Sequence, residues 1–189
     1  MLSTLKWKLE IKRLRQLSEL RGQPALPELV EGHSRHPTWR IKVPGREDVY
    51  MCSPYATDDG YVILVDALKF NIGWLQAGPG LDDSCKLRRH MPADYKFHEA
   101  VIGFKHGIEN PVPLAEVSYL EWGRRAGIRF TNGMTRSFWL LAHDVPAFPV
   151  FTDCHFSIDK IHEIGRRHES RASRASLADA PAPPAPYRP

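Results

Sequence analysis

The sequence predicts an α/β domain, and three stretches carry that prediction. "GYVILVDAL", Gly60 to Leu68, is a dense β-branched and apolar run, the strongest buried-strand signal in the chain. "GIRFTNGMTRSFWLLAHDVPAFPV", Gly127 to Val150, reads as a strand, a tight polar loop, a helix and a second strand. The leading segment repeats its apolar residues at helical spacing. With 189 residues, 42% of them apolar, the chain has enough hydrophobic surface for one core.

The first element, residues 1–23, is a basic amphipathic helix. Leu5 and Leu9 sit four apart, Trp7, Ile11 and Leu14 continue at four and three, and Leu17 and Leu20 follow. Gly22 and Pro24 end it. Lys6, Lys8, Lys12, Arg13 and Arg15 fill the other faces. Two readings stand: a core helix with a solvated basic face, or a helix that docks a partner or an anionic surface. A proline-containing link runs to about Pro37. "TWRIKV" and "VYMCS" then form two strands around the Pro44-Gly45 turn.

After the strand at Gly60–Leu68, residues 71–92 are rich in Gly, Asp and Pro and predict a long loop with a short helical turn. "YKFHEAVIGFKHG" reads as a helix or a strand, with a short helix entering a strand preferred. Pro111 and Pro113 bar a helix from the start of the next segment, so Leu114 to Trp122 is one helical turn or a short strand. Past Val150, Ile158, Ile161 and Ile164 are three apart and predict a helix from about Ser157 to Arg167. Residues 170–189 are Ala/Pro-rich with almost no large apolar group, which predicts a disordered tail.

The formal charge of +4 permits nucleic acid or an acidic surface without requiring either. Cys52, Cys85 and Cys154 are odd in number and form no CxxC pair, which reads as reduced thiols in a cytoplasmic protein. No apolar run approaches the roughly 20 residues needed to span a bilayer, and the amino terminus does not read as a secretory signal.

The loop before the helix in the Gly127–Val150 stretch carries the chemistry. The first turn of a helix has unpaired backbone N–H groups and the positive end of the helix dipole. A glycine just before it lets the backbone approach a ligand closely. Gly133 holds that position, Thr135 adds a hydroxyl, Arg136 a planar fork suited to phosphate oxygens, and Asn132 a cap or ligand contact. An Asn-Gly turn is also the ordinary form of a capped loop. The GxxxxGK[ST] spacing of a P-loop is absent.

The order of parts resembles the ParB/sulfiredoxin (ParB/Srx) superfamily. There a glycine and an arginine, placed as Gly133 and Arg136 are here, open the helix that holds nucleotide phosphate. "VPLAEV" looks like the proline-led segment bearing the family carboxylate, which makes Glu116 that group. The resemblance is closest over residues 108–155. It implies a single ParB/Srx-like domain over 38–168 with a small mixed sheet flanked by helices. Met134 and Thr135 stand where sulfiredoxin has its cysteine and histidine, so peroxiredoxin repair is not expected. The helix-turn-helix domain of chromosome-partition ParB proteins is also missing.

Within the superfamily the sequence is similar to the plasmid fertility-inhibition factors. That resemblance implies ATP hydrolysis with Mg²⁺, cleavage of plasmid or transferred DNA, and a block on export through a type IV secretion channel. Glu116 and Arg136 would act in catalysis, and Asn132, Gly133, Thr135 and Arg136 would hold phosphate. The partners implied are DNA and the secretion coupling protein or the relaxase–DNA complex. The location is cytoplasmic or peripheral at the inner membrane. Two rivals stand beside the hydrolase: a non-enzymatic inhibitor that occludes the coupling protein, and a nucleotide-gated DNA switch.

Other clusters read more weakly. Lys86, Arg88 and Arg89, with His90, form a basic group able to track a DNA backbone or simply to face water. Asp153, Cys154 and His155, with His162 and His168 downstream, lack the paired spacing of a zinc site, and no metal-ligating residue is assigned. Asp58, Asp59, Asp66, Asp82 and Asp83 are candidate carboxylates, with Asp66 more suited to capping. His143 fits the negative end of its helix. Trp74, Trp122 and Trp139 are expected in the core.

Overall fold

The computed structural model describes residues 2–31, 36–53, 60–78, 85–123, 125–163 and 165–167. The tail at 170–189, His168, and Asp58, Asp59, Asp82 and Asp83 lie outside the described residues. The architecture is mixed α/β. The expected small mixed sheet flanked by helices is divided into two sheets.

The first sheet contains β1 (Glu28–Val30), β2 (Thr38–Ile41), β3 (Val49–Cys52) and β5 (Val112–Pro113) in the order β1-β2-β3-β5. It begins ten residues ahead of the expected domain boundary at 38. The first three strands are antiparallel, and β5 joins β3 in parallel through Met51↔Val112. The second contains β4 (Tyr61–Asp66), β6 (Ala115–Trp122), β7 (Arg125–Asn132), β8 (Ala147–Thr152) and β9 (Gly165–Arg167) in the order β7-β6-β8-β4-β9. Here β6 and β8 run parallel and the other neighbours antiparallel. Strand β8 is buried at every position, and Ile63, Val65, Phe148 and Val150 are wholly enclosed. A strand covered on both faces explains its continuous apolar sequence.

Among the described residues five helices surround the sheets: α1 (Leu2–Arg21), α2 (Ala67–Ala77), α3 (Phe97–Lys105), α4 (Met134–Ala142) and α5 (His155–His162). Helix α1 belongs to the fold. Leu14 is wholly buried, Trp7 and Ile11 pack on the core, and the helix lies against α2. The other leucine row, Leu5, Leu9 and Leu20, faces solvent, with Leu20 86% exposed. The even leucine spacing therefore concealed two apolar rows, of which one is buried.

Helix α2 corrects the loop expected over residues 71–92. Asp66 caps it, its Oδ1 accepting from Leu68 N at 2.8 Å and Lys69 N at 3.1 Å, and it also pairs with Arg21 at 2.6 Å. Nine of its eleven residues are buried, so an apolar stripe never separates from a polar one. A 3-10 turn, Arg88–Ala93, is the short helical element of that region.

Of the two forms open to Leu114–Trp122, a helical turn or a strand, the structure takes the strand: the eight residues of β6 pair with β7 along their length and with β8 at their start. The last helix stops at His162, and Gly165–Arg167 leaves it to pair with β4. Trp74 and Trp139 are in the core, but Trp122 is 78% exposed beside the β6–β7 turn.

Candidate functional site

The site begins where β7 ends. The hairpin register sets Asn132 opposite Glu116, and a bulge between Glu116 and Val117 shifts the pairing there. Asn132 Nδ2 donates to Glu116 Oε1 at 3.5 Å. The chain then turns through Gly133 at φ 80°, a left-handed value. An added Cβ would approach Arg136 Nε to 2.7 Å and the Ala115 Cα to 2.8 Å. Two independent constraints, backbone conformation and lack of space, therefore keep this position glycine.

Helix α4 starts at once, and no side chain caps it. Its first turn opens into a pocket of about 360 Å³, lined on this side by Asn132, Gly133, Met134, Thr135 and Arg136. Arg136 is fixed from behind: Nη1 donates to Pro113 O at 2.5 Å and to Leu114 O at 3.2 Å. Burial lowers its pKa, while the neighbouring charge of Glu116 opposes that shift. A guanidinium remains charged throughout the physiological range. Among the described residues Nη2 has no protein acceptor, so the fork retains a donor for an anion.

The structure brings Asn132, Gly133, Thr135 and Arg136 to one pocket and places Glu116 just behind it, paired with Asn132. It does not bring Lys86, Arg88 and Arg89 there. Lys86 forms an ion pair with Asp94 and lies over the Phe138 ring at 5.6 Å. Arg88 donates to Leu141 O, with Nε at 2.6 Å, and pairs with Asp144, which ties the carboxyl end of α4 to the 3-10 turn. Arg89 is exposed, its Nε donating to His90 Nε2 at 3.2 Å. His143 closes the end of α4, its ring against Trp139 and Phe97.

Sequence reasoning missed the opposite wall. Lys96, Glu99, Ala100, Gly103 and His106 come from α3 and its flanks, and Asn110 follows. They lie about 30 residues from the Gly133 turn and meet it only through the packing of α3 on α4. The available signal was the spacing of positions 96, 99, 103 and 106, which is one helix face.

Among the described residues, no three metal-type side chains cluster. Glu99 lines the α3 wall and Glu116 lies behind the α4 wall, and among the described residues these carboxylates form no cage for a metal ion. Cys52, Cys85 and Cys154 are unbridged. Burial raises the Cys52 thiol pKa, whereas hydrogen bonds from Ser157 lower that of Cys154.

The family model "PFIN: Plasmid Fertility inhibition factor" matches residues 62–156, which include α2, α3, both pocket walls and α4. Protein osa of Shigella flexneri is 38% identical over 146 residues, covering 76% of this chain and 77% of its own. The protein belongs to the plasmid fertility inhibition factors. Among solved structures of this family, the Oncogenic Suppression Activity Protein, crystallised as a gold(I) cyanide derivative, aligns with a TM-score of 0.78 at 36% identity. That alignment covers 85% of this chain and 87% of the other. The family match starts at β4, so strands β1–β3 and α1 precede the matched region.

Proposed function

We propose that this fertility inhibition factor is a phosphohydrolase, an ATPase and DNase that blocks plasmid or T-DNA transfer through a type IV secretion system. One observation supports the reading most: the uncapped start of α4, entered through a left-handed glycine, opens into a pocket beside a fixed arginine. Backbone N–H groups of the first turn, the Thr135 hydroxyl and the Arg136 fork would converge on phosphate oxygens. Catalysis would be largely positioning and charge neutralisation, as in other phosphoryl transfers.

Glu116 would accept a proton from, or orient, the attacking water, with Asn132 holding its carboxylate. Mg²⁺ carried by the nucleotide would neutralise phosphate charge. DNA would enter as a second phosphate substrate, and Arg89, the exposed member of the loop cluster, would contact its backbone away from the pocket.

Phosphate release from ATP and nicking of plasmid DNA test this directly. Wild type should perform both reactions, and Arg136→Ala and Glu116→Gln should lose them while remaining folded. Absence of both activities in wild-type protein would refute the reading.

The exposed leucines of α1, interleaved with Lys6, Lys12 and Arg13, favour a second reading. In it α1 occludes the secretion coupling protein or the relaxase–DNA complex without chemistry. Exchanging Lys8, Lys12 and Arg15 for Glu would then abolish inhibition, and Glu116→Gln would not.

A further inference from the structure

Building on the phosphate reading, we infer that the α3 wall of the same pocket seats a nucleoside, and that Glu99 and Gly103 set this specificity. The two walls differ in chemistry. The α4 wall gathers backbone donors, Thr135 and Arg136. The α3 wall carries Glu99, the only carboxylate among the described lining residues, with Lys96 and His106 on the same helix face. Phosphate oxygens are repelled by a carboxylate, whereas sugar hydroxyls and base amino groups are donors to it. Lys96 and His106 flank Glu99, so it is the Glu99 carboxylate, and not the whole wall, that would turn the phosphates towards α4 and take the ligand's hydrogen-bond donors at α3.

Gly103 adds an independent observation. Glycine inside a helix weakens it, and Gly103 does not have the positive φ that would call for glycine. A Cβ added there would meet only Val112 Cγ2, at 3.4 Å, an ordinary van der Waals contact. Helix packing thus leaves the small residue unexplained, but the pocket accounts for it. Together Gly103 and Ala100 form a surface without bulk between Glu99 and His106, against which a flat ring or a sugar can lie. The volume of about 360 Å³ is within the range of small-molecule sites.

The test compares ATP with inorganic tripolyphosphate, each with Mg²⁺, by calorimetry on the full chain. Wild type should bind ATP about tenfold or more tightly than tripolyphosphate. Gly103→Leu and Glu99→Ala should each remove most of that preference, leaving tripolyphosphate affinity within about twofold of wild type. Thermal melts should stay in place, since leucine favours a helix. If Gly103→Leu fails to fold, Glu99→Ala provides the same comparison. Equal binding of ATP and tripolyphosphate by wild type would overturn the nucleoside seat and spare the phosphate site. Equal weakening of both ligands by Gly103→Leu would also overturn it. Binding of neither ligand by wild type would remove the phosphate reading and the nucleoside seat together.

Discussion

The two ends of α4 are treated in opposite ways. At the carboxyl end side chains close the helix: Arg88 donates to Leu141 O, His143 stacks against Trp139, and Asp144 pairs with Arg88. At the amino end no side chain caps the helix, and Gly133 clears space in front of it. Both ends involve an arginine, but Arg88 completes a helix terminus, while Arg136 is held by Pro113 and Leu114 beside an open pocket. An arginine's sequence position thus says little about its role. The protein groups that already occupy its donors say more.

The largest effect expected from this contrast is on stability. Arg88→Ala removes charge-assisted bonds to Leu141 O and should cost about 3 kcal/mol, read as a lower denaturation midpoint. ATP affinity of the folded fraction should be unchanged. Arg136→Ala should do the reverse. Pro113 lines the pocket, where water can replace the lost donor, so stability should fall less, while nucleotide affinity should weaken by about 2 kcal/mol, roughly thirtyfold. If Arg88→Ala weakened nucleotide binding and Arg136→Ala did not, the assignment of the two ends would be reversed.

A smaller effect is expected at Gly133. Gly133→Ala must adopt a left-handed backbone and displace Arg136, costing about 1–2 kcal/mol in stability and weakening nucleotide binding with it. Normal binding by this variant would make the loop a mere connector.

The smallest effect concerns Lys86, grouped with Arg88 by sequence yet engaged with Asp94. Burial pushes the Asp94 carboxyl up, but hydrogen bonds from Lys86 and the Lys96 N–H bring it below the ordinary carboxylate range. A depressed folded pKa stabilises the protein above the unfolded value of about 4, and that stability is lost as pH falls through the folded value. Lys86→Ala should therefore lower the melting temperature slightly at pH 7, by less than about 1 kcal/mol in stability, with the difference closing near pH 2. A difference that persists in acid would assign the loss to the contact with Phe138.

Much of this contrast was legible in sequence at one end of α4 and illegible at the other. The Gly133–Arg136 turn lies between a strand and a helix whose apolar spacing is clean, so local chemistry located it. Arg88 is 53 residues from the carbonyl it bonds, and no local pattern reports that pairing. The α3 wall was missed for the same reason. Helix α2 was hidden because Asn71 and Gly73 look like loop residues, although both lie on a helix enclosed almost all round. Trp122 misled because an indole at a hairpin tip has the same letter as one in the core.

The most direct test of hydrolysis at this pocket as the means of fertility inhibition is plasmid transfer in cells expressing Glu116→Gln at wild-type levels. General-base or positioning carboxylates contribute about 10²–10⁴-fold in rate, so this variant should bind ATP yet scarcely turn it over. The expected result is restored transfer, in parallel with lost phosphate release. Full inhibition by a folded, hydrolytically inactive Glu116→Gln protein would contradict the account and leave occlusion by α1 as the mechanism.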